Sequence, residues 1–216
     1  MDIHAIIEVL RNKRPVFHSE ADFQFALAWE IQLRYPTASV RLEYPPEGDP
    51  NKYIDIIVQF EGYIYPIELK YKTKQFHAIA GGESFHLKNH GAQDLGKYDY
   101  VKDICRIETF SDHIIGYKQG YAIWLTNDPY YWNEPRSSDA GYTQFSVHHG
   151  VIKEGELSWG KNMGIGSIHG REKPLTLVNK YTISWYDYSM LNAANGKFMY
   201  ALITVPPKSK NTHSVL

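Results

Sequence analysis

Asp55, Glu68 and Lys70 are the residues whose types and spacing could carry out a reaction. They lie in two apolar segments, residues 54–60 and 63–71, whose alternating composition predicts neighbouring strands. Carboxylate oxygens are the ligands that a hard divalent cation such as Mg²⁺ prefers. A lysine close to such a pair adds a positive charge that could pair with a carboxylate or a phosphate.

The predicted hairpin brings the two acids together. A two-residue turn at Glu61-Gly62 sets a register in which Asp55 lies directly opposite Glu68 in a non-hydrogen-bonded pair. The same register tolerates Pro66, because its missing N–H points away from the partner strand. Cβ atoms in such a pair lie about 4.5–5.5 Å apart, and like charges at that distance are destabilising. A proton, a cation or a metal ion is therefore expected between the carboxylates.

Lys70 shares a face with Glu68, because residues two apart on a strand point the same way. Lys72 and Lys74 continue this row if the strand extends that far. An alternative is a surface ladder of ion pairs, in which Lys70 only neutralises Glu68. The residues expected on the opposite, buried face are Ile54, Ile56, Ile67 and Leu69.

Further elements are predicted on both sides of the hairpin. A capping box at Ser19 starts a helix that Pro36 ends. The remaining predictions, in chain order, are a strand at 40–44, a loop containing Gly81-Gly82, a helix at 92–110, a strand at 121–126, an irregular insertion at 127–174, strands at 182–186 and 198–205, and a frayed tail at 206–216. This order predicts one α/β domain with a mixed central sheet flanked by helices.

The hairpin motif resembles that of the PD-(D/E)XK nuclease superfamily. Asp55 is followed after twelve residues by Glu68-Leu69-Lys70, although Ile54 stands where the superfamily often has proline. The order of elements over residues 18–126 is similar to the αβββαβ core of the restriction-endonuclease-like fold. The resemblance implies this core, with residues 127–205 as a β-rich or irregular extension that has no assigned counterpart.

The resemblance also implies a mechanism. Asp55 and Glu68 would bind Mg²⁺ or Mn²⁺ together with the backbone carbonyl of Leu69, and Lys70 would orient or deprotonate the attacking water. Many members add a glutamate from the first helix, for which Glu20 is the preferred candidate. Its alternative role is in the helix cap. Glu30 is the second candidate, and its alternative is a salt bridge to a helix neighbour such as Arg34.

A nucleic-acid surface is expected beside this site. Lys72 and Lys74 follow it directly, and seven Lys or Arg stand against four Asp or Glu in residues 69–106. A solvated helix face is the alternative explanation of this bias. Some relatives carry a Gln-x-x-x-Tyr element on the second helix. Gln93 and Tyr98 only approximate it, because their spacing is one residue longer and they could serve the helix alone.

Composition excludes several classes of protein. The 216 residues include one cysteine, Cys105, so no disulfide framework exists within the chain. No apolar run approaches the roughly 18 residues of a membrane span, and the N-terminal residues have no signal-peptide pattern. A net charge of −1 argues against a large non-specific polyanion binder. We expect a cytoplasmic protein. His86 and His90 have metal-ligand spacing only if helical, so zinc is disfavoured.

The expected activity is Mg²⁺-dependent hydrolysis of DNA phosphodiester bonds by an endonuclease. Two alternatives stay open: a catalytically silent nucleic-acid-binding or interaction protein on the same fold, and a hydrolase of small phosphoesters. DNA versus RNA, sequence specificity, endonuclease versus exonuclease action, biological role and oligomeric state are not fixed by the sequence. A homodimer is conceivable, because many relatives dimerise to cut both strands.

Overall fold

The computed structural model describes residues 1–45, 53–135, 137 and 140–208. A six-stranded mixed sheet with the order β1-β2-β3-β6-β10-β9 forms its centre, and helices flank it. The sheet strands are β1 Ser39–Tyr44, β2 Ile54–Phe60, β3 Tyr63–Lys72, β6 Gly120–Thr126, β9 Trp185–Met190 and β10 Lys197–Val205. Two smaller antiparallel pairs are β4 Phe76–Ala80 with β5 Glu83–Leu87, and β7 Ile152–Leu157 with β8 Leu175–Thr182. The helices are α1 Ile3–Lys13, α2 Glu20–Arg34, α3 Gln93–Ser111, α4 Pro129–Trp132 and α5 Ile165–Ile168.

The β2–β3 hairpin has the predicted register. Ile56 lies opposite Ile67, and Ile57 lies opposite Pro66. The turn residues Glu61 and Gly62 have φ angles of 51° and 77°. Positive φ at both central residues suits a two-residue hairpin, because this turn follows the twist of the strands. The ladder between the strands ends at Ile56–Ile67, one step before the position of Asp55.

Two helical layers cover the sheet. On one face, α1 and α2 pack against it in a cluster that includes Phe23, Leu27, Ile67 and Leu69. On the other face, α3 packs against β6 and β10 in a second cluster, to which the β7–β8 pair also contributes. Strand β6 is parallel to β3, and α3 provides the connection between them. This architecture confirms the predicted mixed α/β class.

Several local predictions were wrong. The segment around Gly81-Gly82 is the turn of the β4–β5 hairpin, not a loop. The strand expected at 182–186 spans the turn between β8 and β9 instead. Part of the expected insertion forms β7. The helix α1 was missed, although Asp2 caps its start by accepting from Ala5 N–H. The expected tail was placed at 206–216, of which residues 209–216 lie outside the described part.

Ile54 differs from its expected place. It packs with Ile57 and Phe110, rather than on the face of Ile56 and Ile67. Ile54 still lies opposite Tyr44 of β1, but it has no partner on β3, because the β2–β3 ladder ends at Ile56. No helix within the described ranges has both the length and the apolar character that a membrane span requires.

Candidate active site

Two carboxylates fill the gap that opens where β2 and β3 separate. Leu69 N–H donates to Asp55 Oδ2 at 2.6 Å, and Tyr71 N–H donates to Glu20 Oε2 at 2.7 Å. Both amides lie on the β3 edge that faces β2, and both are beyond the last backbone pair. Side-chain oxygens therefore replace the missing backbone acceptors, which buried amides require.

The helix α2 borders the gap on one side. Its N-cap, Ser19, accepts from Asp22 N–H, which confirms the predicted start of the helix and fixes Glu20 in the first turn. One turn later, Gln24 donates to the Asp55 backbone carbonyl at 2.7 Å and to Glu43 Oε1 at 2.8 Å. Gln24 thereby ties α2 to β1 and β2 beside the site.

Glu68 points to the α3 side of the sheet and is almost completely buried. Its Oε1 accepts from Arg106 Nη1 at 2.8 Å. Burial raises the pKa of Glu68 well above its ordinary range, and the nearby negative charges of Asp103 and Asp55 raise it further. Arg106 opposes this effect but does not cancel it. The ionised form of Glu68 is therefore held at a cost.

Lys70 also points to α3, where Asp103 Oδ2 lies 2.7 Å from its ammonium nitrogen. Asp103 Oδ1 lies 3.1 Å from Arg106 Nη2, so one carboxylate joins both cations. Burial alone lowers the pKa of Lys70, but the charge and hydrogen bond of Asp103 outweigh it and raise the pKa above its ordinary value. Lys70 is thus an ammonium at neutral pH in this arrangement.

Acidic side chains outnumber basic ones in this group. Its acids are Glu20, Asp55, Glu68 and Asp103, and its bases are Lys70 and Arg106. Burial raises the pKa of Asp55 to about 6, although the Leu69 amide and Lys70 both favour the carboxylate. A divalent cation would supply the missing positive charge.

The donors suit a hard metal ion. In a regular strand the N–H and C=O of one residue point to the same side, so the Leu69 carbonyl faces the gap that holds Asp55. Within the described ranges, no group of three or more His, Cys, Asp or Glu side chains could hold a metal ion. Mg²⁺ commonly uses only one or two carboxylates and fills its other positions with water and phosphate oxygens. Asp55, Glu68 and the Leu69 carbonyl fit that smaller donor set.

Of the residues expected to bind nucleic acid, two meet at Asp128 and one is buried. Lys72 ends β3, and Lys74 lies in the following loop with its ammonium 3.6 Å from Asp128 Oδ1. Gln93 Nε2 donates to the same aspartate, at 3.4 Å. Tyr98 is buried and stacked on Trp159, so its ring serves the core.

The remaining candidates are also accounted for. Glu30 pairs with Lys13 at 2.7 Å, not with Arg34, and takes no part in the gap. His86 lies on β5 and contacts His77, whereas His90 follows the hairpin and accepts from Thr73 N–H. These two histidines are therefore not on one helix, as the zinc spacing would require.

Sequence reasoning missed Asp103 and Arg106. Both were counted only as charges in a basic segment. The available signal was their spacing of three residues on a helix whose neighbours Val101, Ile104 and Ile107 are apolar and buried. Polar residues on a buried helix face are expected to meet polar partners.

A comparison of the sequence with models of known protein families finds no matching family, and a comparison with curated proteins finds no matching relative.

Proposed function

We propose that this protein is a metal-dependent nuclease with a restriction-endonuclease-like core. The order of α2, β1, β2, β3, α3 and β6 corresponds to the αβββαβ arrangement that the sequence motif implies. The neighbouring strands run β1-β2-β3-β6, with β3 and β6 parallel. The proposed substrate is DNA, the proposed cofactor is Mg²⁺ or Mn²⁺, and the proposed mode is endonucleolytic.

The observation that carries this proposal is the separation of β2 from β3 at the motif itself. The backbone ladder stops there, and the carboxylates of Asp55 and Glu20 occupy its edge. Glu68 and Lys70 project beside them from the same stretch of β3. A purely structural hairpin would gain more from continued backbone pairing than from placing the half-buried Asp55 and the buried Glu68 so close together.

The residues have distinct proposed roles. Asp55, Glu68 and the Leu69 carbonyl would hold the ion, which when bound would supply Lewis-acid polarisation of a phosphodiester and activation of water. Glu20 adds negative charge at the open end of the gap. Asp103 keeps Lys70 in its ammonium form. Lys70 then donates to the phosphate or the attacking water and offsets the negative charge that develops on the phosphate. Since its pKa is raised, we favour this electrostatic role over deprotonation of the water.

Plasmid nicking tests the proposal. Wild-type protein is incubated with supercoiled DNA and Mg²⁺ or Mn²⁺, beside Asp55→Asn and an EDTA control, with a labelled RNA of matched sequence in a parallel arm. We expect metal-dependent nicking that Asp55→Asn abolishes. Faster cleavage of RNA would correct the substrate, whereas the absence of cleavage of either polymer with both metals would contradict the proposal.

One observation favours a second function, a nucleic-acid-binding protein without catalysis. Arg106 and Asp103 already pair with Glu68 and Lys70, so the chain partly neutralises its own site. This alternative predicts DNA binding that needs no divalent ion and persists in Asp55→Asn. The nuclease predicts heat on calorimetric titration with Mn²⁺, lost in Asp55→Asn, and silent binding predicts none in either protein.

A further inference from the structure

A basic pocket lies next to the candidate active site. It has a volume of about 360 Å³ and lies between the start of α2, the end of β3 and the β4–β5 hairpin. This volume is at the lower end of the range of roughly 300–1,000 Å³ for ligand pockets. The charged and titratable residues that line it are His18, Glu20, Lys72, Lys88, His86 and His90.

The two lysines give the pocket excess positive charge. No ion pair joins Lys72 or Lys88 to a carboxylate in the part of the chain that the structure describes. Both ammonium groups act on His90, whose pKa is lowered first by partial burial and then by their charges. Glu20 is the one acid among the described residues of the lining, and its carboxylate accepts the Tyr71 amide. Glu83 lies outside the lining, where its carboxylate is 2.9 Å from His18 Nε2. The pocket therefore favours an anion.

Thr73 fixes the wall that carries Lys88 and His90. Its hydroxyl donates to the Lys88 carbonyl at 2.8 Å, its N–H donates to His90 Nδ1 at 2.9 Å, and its carbonyl accepts His90 N–H at 2.7 Å. Because Nδ1 of His90 accepts a hydrogen bond, the proton of the neutral ring is on Nε2. The wall is thus held by three hydrogen bonds to one buried residue.

The pocket adjoins the gap between β2 and β3. Glu20 belongs to both, because it lines the pocket and bonds to Tyr71 in the gap. Tyr71 is two residues from Leu69, whose amide bonds to Asp55, and two residues of strand span roughly 7 Å. A bound anion would therefore lie near the proposed site of cleavage, along the strand from Asp55.

We propose that this pocket binds a second phosphate of the nucleic-acid strand, adjacent to the one that is cleaved. This inference rests on the proposed function for the identity of the strand, but the pocket's preference for phosphate does not require catalysis. Lys72 and Lys88 bind the phosphate oxygens as ammonium donors, and His90 Nε2–H adds a third donor. The phosphate is either terminal or internal to the strand.

Binding measured in EDTA tests the pocket separately from cleavage. Fluorescence anisotropy compares a short duplex with 5′-phosphates, the same duplex with 5′-hydroxyls, and a closed circle as competitor. We expect Lys88→Gln and Lys72→Gln to weaken binding about tenfold, as loss of a charge-assisted contact predicts. Lys180→Gln is the matched control, because it removes an exposed lysine on β8, which contributes nothing to the pocket.

The outcomes separate the sources of the phosphate. A loss confined to the 5′-phosphorylated duplex assigns the pocket to a terminal phosphate, and an equal loss on all three DNAs assigns it to an internal one. Wild-type affinity of both pocket variants for every DNA overturns the inference. If the variants lose affinity but wild-type protein never cleaves, the pocket stands and the nuclease fails. If wild-type protein cleaves DNA but both pocket variants bind DNA with wild-type affinity, the nuclease stands and the phosphate pocket fails.

Discussion

Asp55 shows most clearly that the candidate site lowers the stability of the folded protein. Its carboxylate is partly buried and accepts one amide, yet its pKa is raised to about 6 from an ordinary value of 3.8. The folded protein therefore holds the Asp55 proton more tightly than the unfolded chain does. The resulting loss of stability is absent below about pH 4, where both states are protonated, grows as the pH rises to about 6, and is constant above that, where both states are ionised.

We therefore expect Asp55→Asn to stabilise the metal-free protein at neutral pH. The gain should be on the order of 2–3 kcal/mol at pH 7.5 and about 1 kcal/mol or less at pH 4.5, from the size of the shift. Urea denaturation in EDTA at the two pH values measures it. An equal difference between variant and wild type at both pH values would contradict the raised pKa.

Asp103 has the opposite role, because two cations depend on it. It is 2% exposed and lies within 3.1 Å of a nitrogen of both Lys70 and Arg106. Asp103→Asn should destabilise the protein by about 2–4 kcal/mol, since it leaves Lys70 mostly buried without a carboxylate. Asp99→Asn, at a partly exposed position of the same helix where Arg171 Nε lies 4.0 Å away, should change stability by less than about 0.5 kcal/mol. Similar effects of the two changes in urea denaturation would show that the Asp103 ion pairs carry no net stabilisation.

Sequence patterns predicted the contacts between residues close in the sequence and missed the contacts between β3 and α3. The register that brings Asp55 towards β3 follows from the turn at Glu61-Gly62, which is local. The contacts of Lys70 with Asp103 and of Glu68 with Arg106 join β3 to α3 across more than thirty residues. No spacing rule predicts how α3 packs on β3, so the sequence did not predict that Asp103 and Arg106 contact Lys70 and Glu68.

At the scale of elements, α3 is held by more than its apolar face. Glu108 is buried near its C-terminal end and accepts hydrogen bonds from Val178 N–H, Asn179 N–H and the Tyr181 hydroxyl, at 2.7–2.9 Å. A carboxylate that accepts several donors fixes α3 against β8. Because α3 also carries Asp103 and Arg106, this anchor contributes to the geometry of the candidate site.

Glu108→Ala should therefore cost about 3–5 kcal/mol of unfolding free energy, because it leaves buried donors without an acceptor. Glu154→Ala is a suitable control, as Glu154 is 57% exposed in a surface pair with Lys180. That control should cost less than about 1 kcal/mol. Thermal and urea denaturation of both variants provide the comparison, and equal losses would refute the anchoring role of Glu108.

Element prediction succeeded where one local pattern dominates. The cap at Ser19 and the strongly apolar β6 were recognised, and the β2–β3 turn was placed correctly. The prediction failed for β8, which lies at Leu175–Thr182 and not at 182–186, and for the β4–β5 hairpin. In the latter, histidines and small residues mask strand periodicity, so tertiary contacts decide the conformation.

At the scale of the molecule, the net charge conceals an uneven distribution. Of the basic residues counted after the motif, Lys70 and Arg106 pair with buried acids and Lys97 is buried beneath the ring of Tyr130. Three of the seven basic residues of this segment are therefore engaged inside the protein. Of the other four, Lys72 and Lys88 line the pocket beside the gap that holds Asp55, Lys74 lies 3.6 Å from Asp128, and Lys102 is exposed on α3.

The most direct test of the account is the DNA cleavage rate of Lys70→Met relative to wild type, with Mg²⁺ or Mn²⁺. Lys102→Met serves as the control, because Lys102 is an exposed lysine on α3. We predict that Lys70→Met cleaves at least about 100-fold more slowly while it still binds DNA, since Lys70 stabilises charge in the transition state. Circular dichroism confirms that both variants fold. Cleavage by Lys70→Met at the wild-type rate would contradict the proposed active site.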